Sequence, residues 1–232
     1  MLTIGIDSST QGTKAVVYDV DAAKVVASAA VNYGRDLPEF GSPDGFLPNA
    51  DTRVRRANPE MWVRGLELVL SRLRDSGAPM GEIAAIGGDA QQHATVCLDA
   101  DGNFSRKESP IWMDSSTTAE VAALDARFGK SLATRTGSPA IERFVAAQMM
   151  KFAREEPEAY ARTARVHLLS SFLTSVLAGE ASFGATYKKP LSLCHPCVSV
   201  CHPLKRCTPF IYRCCVSVSA YFLKIYSIAI AV

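Results

Sequence analysis

The stretch IGIDSSTQGTKAVVYD, residues 4–19, decides the fold. It sets two short apolar runs on either side of a polar reversal, Asp7–Lys14, which carries an acid, four hydroxyl groups and a glycine. A hairpin turn needs one Gly or Asn and little more. The surplus of hydrogen-bonding groups indicates that the turn holds a ligand. A polar hairpin capped by Asp7 is the alternative that this stretch leaves open.

Asp7 ends the first predicted strand, at the end of the sheet where ligands of α/β folds bind. A carboxylate that can ligate Mg²⁺, next to hydroxyls and backbone N–H groups around Gly12, is what nucleotide phosphates require. The turn is therefore a candidate phosphate site. The chain contains no G-x-G-x-x-G and no G-x-x-x-x-G-K-[ST], so neither a Rossmann dinucleotide site nor a P-loop is expected.

The sequence that follows the turn predicts strands first and helices later. Three β-rich runs, ending with residues 24–33, predict an antiparallel meander. IAAIGG (83–88) predicts a buried strand because its apolar run is unbroken, and residues 93–103 predict another strand. Helices are predicted after an Asn58–Pro59 cap, at residues 119–129, around Ile141–Arg154 and around Leu168–Leu177. This order predicts an α/β domain with a mixed sheet.

The composition of the chain changes abruptly near residue 180. All 23 acidic residues lie at or before Glu180 with 19 of the 25 basic residues, so residues 1–180 carry a net charge of −4 and the rest +6. Cys97 stands alone, whereas six cysteines crowd a short window: Cys194, Cys197, Cys201, Cys207, Cys214 and Cys215. Domains rarely change composition so sharply. We expect a first domain at residues 1–182 and an unrelated C-terminal tail at residues 183–232.

The first region has the features of a cytoplasmic protein. No basic segment followed by an apolar core opens the chain, and no run in residues 1–180 is long and apolar enough to span a membrane. A single cysteine in this region fits a reducing compartment. We expect a cytoplasmic domain with neither a membrane nor a nucleic-acid partner.

Five motifs in order resemble one family. IGIDSSTQGTKAVVYD resembles the opening phosphate motif of the FGGY carbohydrate kinases, a branch of the ribonuclease-H-like, actin-like ATPases. AIGGDAQQHATVCLD (85–99) is similar to the strand that carries their sugar site, with its Gln-x-His segment at residues 91–93. The other matching stretches are NPEMW (58–62), PIWMDSSTTAE (110–120) and TGSPAIERFVAAQMMK (136–151). The last two resemble the eukaryotic xylulokinases, and the resemblance implies an incomplete ribonuclease-H-like domain.

The resemblance implies a phosphate part of the site. Asp7 would face Mg²⁺, which is carried by ATP, and the transferred phosphoryl group. Thr10 and Thr13 would lie in the turn that binds the phosphate. ATP and Mg²⁺ are the cofactors expected on this ground.

The resemblance also implies a sugar part. His93 would hydrogen-bond a sugar hydroxyl through a ring nitrogen, with Gln92 beside it. Arg143 would reach the sugar with its rigid fork of donors. Trp112 and Asp114 would shape the pocket, and Asp114 has the alternative of capping the following helix.

The implied reaction is the ATP-dependent phosphorylation of D-xylulose to D-xylulose 5-phosphate. Another pentulose or glycerol is the alternative substrate. In the family a general-base Asp lies after the segment that corresponds to SSFLTSVLAGE (170–180), and a second domain binds the nucleotide. Since no acid follows Glu180, we expect the chain as written to be inactive or nearly so. A non-catalytic sugar-binding or regulatory fragment is the alternative from another class.

The tail allows three interpretations. Cys194, His195, Cys197, Cys201 and His202 suggest zinc, but C-x2-C-x3-C-H is too compact for a structural zinc site. The last 23 residues are apolar but are interrupted by Arg213 and Lys224, which argues against a membrane anchor. The favoured interpretation is aberrantly translated sequence that is poorly ordered.

Overall fold

The computed structural model of the protein describes residues 1–178, so the predictions made for the tail lie outside the described residues. The strands are β1 Leu2–Ser8, β2 Gly12–Asp19, β3 Lys24–Asn32, β4 Arg56–Ala57, β5 Ile83–Ala90, β6 Thr95–Leu98, β7 Ser109–Pro110 and β8 Arg165–Leu168. The helices are α1 Tyr33–Asp36, α2 Pro59–Asp75, α3 Thr118–Phe128, α4 Lys130–Thr136, α5 Val145–Glu155, α6 Pro157–Arg162 and α7 Leu169–Ala178.

A mixed sheet forms the centre of the domain, in the strand order β3-β2-β1-β5. β1, β2 and β3 pair in antiparallel fashion, as the meander predicted, whereas β5 runs parallel to β1. The register places Asp7 opposite Asp89 and Ser8 opposite Ala90. The carboxyl ends of β1 and β5 therefore meet at one edge of the sheet, where ligands of α/β folds bind.

Helix α2 covers one face of this sheet. Its first turn is set by Asn58, whose side chain accepts a hydrogen bond from the backbone N–H of Glu60, and by Pro59 at the first helical position. Its buried face consists of Met61, Trp62, Leu66, Val69 and Leu73, and it packs in one core with Ile4, Ile6, Ala15 and Val17 of the sheet. This core holds the β1–β2 turn on a rigid support.

A second layer lies beyond the sheet. Strands β6 and β8 pair antiparallel in a separate two-stranded sheet, and β4 pairs with β7 in another. The strand predicted at residues 93–103 is therefore shorter than expected and does not join the main sheet. Helix α7 follows β8 and contacts β5. No helix within residues 1–178 combines the length and the apolar character needed to cross a membrane.

Two expectations need correction. Strand β5 is not buried throughout, because only Ala90 is buried and Ile86 is 37% exposed. Four of the six residues in its apolar run are Ala or Gly, and β1 is its only partner strand among the described residues. Helix α5 begins at Val145 rather than near Ile141, because residues 141–144 form a turn closed by a 3.0 Å hydrogen bond from the N–H of Phe144 to the carbonyl of Ile141.

Candidate functional site

A cavity of about 340 Å³ opens at the edge of the sheet where β1 and β5 end. Four separate parts of the chain form its wall: the start of the β1–β2 turn, the end of β5 with the segment after it, a loop at residue 112 and a turn at residue 143. The lining residues are Asp7, Ser9, Thr10, Ala90, Gln91, Gln92, His93, Trp112 and Arg143.

Most of the residues that the sequence singled out converge on this cavity. Those that line it are Asp7, Thr10, Gln92, His93, Trp112 and Arg143. Thr13 and Asp114 do not line it, because both side chains are buried in the protein, at 0% and 1% exposure. The structure brings six of the eight residues together from segments more than 100 residues apart.

The β1–β2 turn is held by hydrogen bonds within and beneath it. Ser9 donates to the carbonyl of Gly12 through both its backbone N–H, at 2.9 Å, and its hydroxyl, at 3.1 Å. Below the turn, the Tyr33 hydroxyl lies 2.9 Å from Oγ of Ser8 and 2.8 Å from Oγ1 of Thr13. Thr13 thus supports the turn from inside the core, and its side chain does not line the cavity.

Tyr33 is a residue of the site's support that sequence reasoning missed. It is fully buried, and burial raises the pKa of its hydroxyl to about 12, so it stays a neutral donor and acceptor. A Cβ on Gly65 would lie 2.7 Å from Cε1 of Tyr33, so helix α2 needs a glycine at this point to admit the ring. From the sequence alone, Tyr33 is recognised only as the last residue of a β-rich run.

Trp112 connects two segments of the cavity wall. Its indole N–H donates to Oγ1 of Thr10 at 2.9 Å, which joins the segment after β7 to the β1–β2 turn. Trp112 lines the cavity and is 40% exposed. The β1–β2 turn also packs against Gly45, at which a Cβ would lie 1.9 Å from the carbonyl oxygen of Thr10.

His93 has a constrained backbone. Its φ of +60° lies in the left-handed region, which non-glycine residues seldom adopt, although His is among the residues enriched there. The imidazole packs on Phe144, with ring centroids 5.0 Å apart. Burial, and then the positive charge of Arg143, lower the pKa of His93. A neutral imidazole presents one donor and one acceptor to the cavity, which suits a hydroxyl group.

Arg143 supplies a positive charge to the cavity. It lies in the turn at residues 141–144, just before α5, and its side chain is exposed. Arginine stays protonated and offers five donors in a planar fork, so it can bridge neighbouring oxygens of a ligand. With Asp7 on the opposite segment, the cavity carries charges of both signs.

Asp114 lies beneath the site as the centre of a buried polar network. Its carboxylate accepts hydrogen bonds from the backbone N–H of Arg55 at 3.0 Å, from the N–H and hydroxyl of Ser116 at 3.0 and 2.6 Å, and from the Gln148 amide at 3.0 Å. Burial raises the pKa of Asp114, but the hydrogen bonds outweigh it and the net shift is downward. The carboxylate closes a local turn with Ser116, and the N-cap position of α3 belongs to Thr117.

The sequence also did not single out Gln91 as a separate site residue. Both polar atoms of its side-chain amide are buried and find no hydrogen-bond partner among the described residues, although Gln91 lines the cavity. Such unpaired groups are rare in native proteins. The Gln-x-His pattern contained the signal, since Gln91 is its first residue.

The described residues can contribute to a magnesium site but do not form one alone. Within residues 1–178, no group of three or more His, Cys, Asp and Glu side chains could hold a metal ion. Mg²⁺ that arrives on nucleotide phosphates needs only one or two protein carboxylates. The carboxylate of Asp7, which lines the cavity beside the hydroxyls of Ser9 and Thr10, fits that role.

Comparison with known proteins places the chain among sugar kinases. The family model of the FGGY carbohydrate kinases, N-terminal domain, matches residues 2–187. Xylulose kinase of Rattus norvegicus is 35% identical over 200 residues, which cover 77% of this chain and 37% of that protein. Xylulose kinase 2 of Arabidopsis thaliana is 34% identical over 201 residues, which cover 77% of this chain and 36% of that protein.

Solved structures share the fold. A xylulose kinase from Rhodospirillum rubrum superposes with a TM-score of 0.67 at 23% identity, over 78% of this chain and 35% of that chain. Plasmodium falciparum glycerol kinase, solved with ADP, gives a TM-score of 0.62 at 17% identity, over 77% of this chain and 34% of that chain.

The chain spans about a third of the length of the curated relatives and solved structures that it matches. Its mixed α/β domain has the fold of these actin-like sugar kinases. The family model covers most of the 232 residues. The chain therefore belongs to the FGGY family of carbohydrate kinases.

Proposed function

We propose that residues 1–178 form the sugar-binding part of a cytoplasmic, ATP-dependent kinase that phosphorylates D-xylulose to D-xylulose 5-phosphate. The observation that carries the proposal is the convergence of Asp7, His93 and Arg143 on one cavity. The choice of D-xylulose is supported by curated relatives named as xylulose kinases, which are 32–37% identical to this chain.

The cavity offers the groups that such a reaction needs on the sugar side. His93 and Arg143 would hydrogen-bond the sugar hydroxyls, Gln92 would border them, and Trp112 would cover them. Phosphoryl transfer depends mainly on positioning and on neutralising charge. Magnesium on the bound nucleotide supplies part of that neutralisation.

The phosphate side of the proposal rests on the β1–β2 turn. Asp7 and Thr10 would face the transferred phosphoryl group from the cavity wall. Thr13 would act indirectly, since its hydroxyl bonds Tyr33 and Ser8 in the core. Asp114 would likewise act through the network beneath the cavity rather than by touching the sugar.

For this chain by itself we propose binding with little or no turnover. The resemblance puts the proton-accepting Asp beyond residue 180, where the sequence has no Asp or Glu. Loss of a general base typically costs about 10²–10⁴ in rate. The nucleotide-binding domain of the family is also outside the segment that matches.

Tryptophan fluorescence gives a direct test. The chain has two tryptophans, of which Trp62 is fully buried and Trp112 lies in the cavity wall. Titration with D-xylulose should give a saturable change with a Kd of about 1 mM or weaker, near −4 kcal/mol. The change should disappear in Trp112→Phe and in Arg143→Ala.

Control sugars separate the alternatives. A stronger response to glycerol or to another pentulose would move the proposed substrate to that compound. No saturable response to any of them would overturn the proposal that the cavity is a sugar site. ADP release from ATP, measured with D-xylulose at saturation, should stay at the background level, and rapid release would overturn the proposal of low turnover.

A further inference from the structure

The turn that carries Arg143 is held from below by two buried side chains that do not line the cavity. The carbonyl oxygen of Glu142, next to Arg143, accepts hydrogen bonds from Nε2 of Gln148 at 3.1 Å and from Oγ1 of Thr117 at 2.6 Å. Gln148 is 3% exposed and Thr117 is fully buried. The backbone at Glu142 is therefore anchored at the point from which the Arg143 side chain departs.

Gln148 is itself fixed by Asp114. The second N–H of its amide donates to Oδ1 of Asp114 at 3.0 Å. An ionised carboxylate and a backbone carbonyl can only accept, so the amide nitrogen is the end of Gln148 that satisfies both partners. The amide thus bridges Asp114, which is held by the backbone of Arg55, to the carbonyl of Glu142.

We propose that Gln148, oriented by Asp114, is a positioning residue that fixes the 141–144 turn so that Phe144 packs on His93 and Arg143 lines the cavity with it. This inference rests on the proposed sugar site, because it assigns to the buried amide the task of setting the distance between two sugar-binding groups. The amide itself touches no substrate.

The turn contacts His93 in two ways. The Phe144 ring packs on the imidazole at a centroid distance of 5.0 Å. The Arg143 charge opposes protonation of the same ring, after the larger effect of burial. The other charged side chain that lines the cavity is Asp7. The pKa of His93 therefore reports where the turn places Arg143, without any ligand.

Two variants release the turn. Gln148→Leu keeps the size of the side chain and removes both donors, and Thr117→Val removes the second hydrogen bond to Glu142 with almost no change of shape. Thr163→Val is the matched control for Thr117→Val, because it makes the same change without altering a charge. The Thr163 hydroxyl donates to the carbonyl of Ala159 at 2.9 Å and lies 2.7 Å from Oγ of Ser105, outside the network of Asp114 and Gln148.

The experiment is an NMR titration of the His93 imidazole in the full chain, with the resonance assigned by His93→Asn. Arg143→Ala should raise the His93 titration midpoint, and Gln148→Leu and Thr117→Val should raise it in the same direction. Thr163→Val should leave it unchanged while lowering the thermal midpoint. The affinity for D-xylulose, measured from the shift of the same resonance during titration, should fall about tenfold or more in Gln148→Leu. The reason is that small displacements of positioning groups can lower the strength of an interaction by orders of magnitude.

The outcomes separate the two proposals. An unchanged His93 midpoint in both Gln148→Leu and Thr117→Val, or an equal rise in Thr163→Val, would overturn the positioning role. If Gln148→Leu does not fold, Thr117→Val alone decides. If the midpoint rises as expected but the unsubstituted chain shows no response to D-xylulose, the positioning role stands and the sugar site fails.

Discussion

Trp112 and Thr10, 102 residues apart in the chain, meet through a 2.9 Å hydrogen bond from the indole nitrogen to the threonine hydroxyl. The bond joins the segment after β7 to the β1–β2 turn, and both segments line the cavity. It crosses between two segments that share no strand pairing with each other. This side-chain contact therefore ties together two segments of the cavity wall.

Thr10→Val should release the indole of Trp112 from the β1–β2 turn. The substitution removes the acceptor and keeps the shape, so unfolding free energy should fall by no more than about 1.5 kcal/mol. Acrylamide quenching of Trp112 fluorescence should increase, because the indole is no longer held. Ser9→Ala is the control, since its hydroxyl donates to the carbonyl of Gly12 within the same turn and, among the described residues, to no other group. Equal quenching in both variants would contradict the role given to Thr10.

Tyr33→Phe should destabilise the domain from inside. Removal of the hydroxyl leaves Ser8 and Thr13, both fully buried, without their shared partner. The expected cost is about 1–3 kcal/mol in urea unfolding. Tyr160→Phe is the matched control, because Tyr160 is 44% exposed and keeps its ring contact with Phe152 as Phe. If Tyr33→Phe lowers the unfolding free energy no more than Tyr160→Phe does, the three hydroxyl groups do not stabilise the domain together.

Gly45→Ala should perturb the β1–β2 turn more than the backbone angle of Gly45 explains. Gly45 and Gly77 both have φ of +84°, so Ala at either position pays about 1–2 kcal/mol for the left-handed conformation. A Cβ at Gly77 meets nothing within 4 Å, whereas one at Gly45 meets the Thr10 carbonyl at 1.9 Å. Gly45→Ala should therefore lose more stability and also weaken sugar-dependent fluorescence. Equal losses in both variants would argue against contact with the turn.

His167 should make the domain less stable as the pH falls. It is 1% exposed, both ring nitrogens lack hydrogen-bond partners among the described residues, and burial, followed by the charge of Arg165, lowers its pKa. The unfolded chain therefore takes up a proton first, near pH 6.5. Stability should be complete above that pH and decline below it by up to about 1.4 kcal/mol per pH unit.

His167→Phe is expected to reduce this decline when urea unfolding is followed between about pH 5 and pH 8. A smaller slope will remain, because the pKa of His93 is also lowered by burial. The carboxyl of Asp36, whose pKa is lowered by hydrogen bonds from Arg35 and Arg72, affects stability only below its ordinary range near pH 4. An unchanged slope in His167→Phe would assign the pH dependence to another group.

Local patterns in the sequence predicted the elements that local forces determine. The three-stranded meander follows from β-rich runs separated by polar turns, and the start of α2 follows from the Asn58–Pro59 cap. The exposure of β5 could not be read in this way, because an unbroken run of Ala, Ile and Gly gives no sign of which side remains uncovered. The pairing of β6 with β8 joins segments about 70 residues apart, for which the sequence carries no local signal.

The site shows the same division. The polar turn at Asp7 and the motif at His93 stand out in the sequence because their residue types exceed what structure requires. The residues that support them do not. Tyr33 and Gln148 look like ordinary members of a strand end and a helix, and only the fold brings their side chains to Thr13 and Glu142. Support of this kind depends on tertiary contacts.

The left-handed backbone at His93 limits which residues can replace it. Besides His, the residues that accept this φ most readily are Gly, Asn and Asp, and none of them carries an imidazole, so an exchange at this position loses the ring even when the chain tolerates it. A β-branched residue would distort the loop itself. Changes to the cavity wall are therefore better made at Gln92, which lines the same cavity and whose φ is not positive.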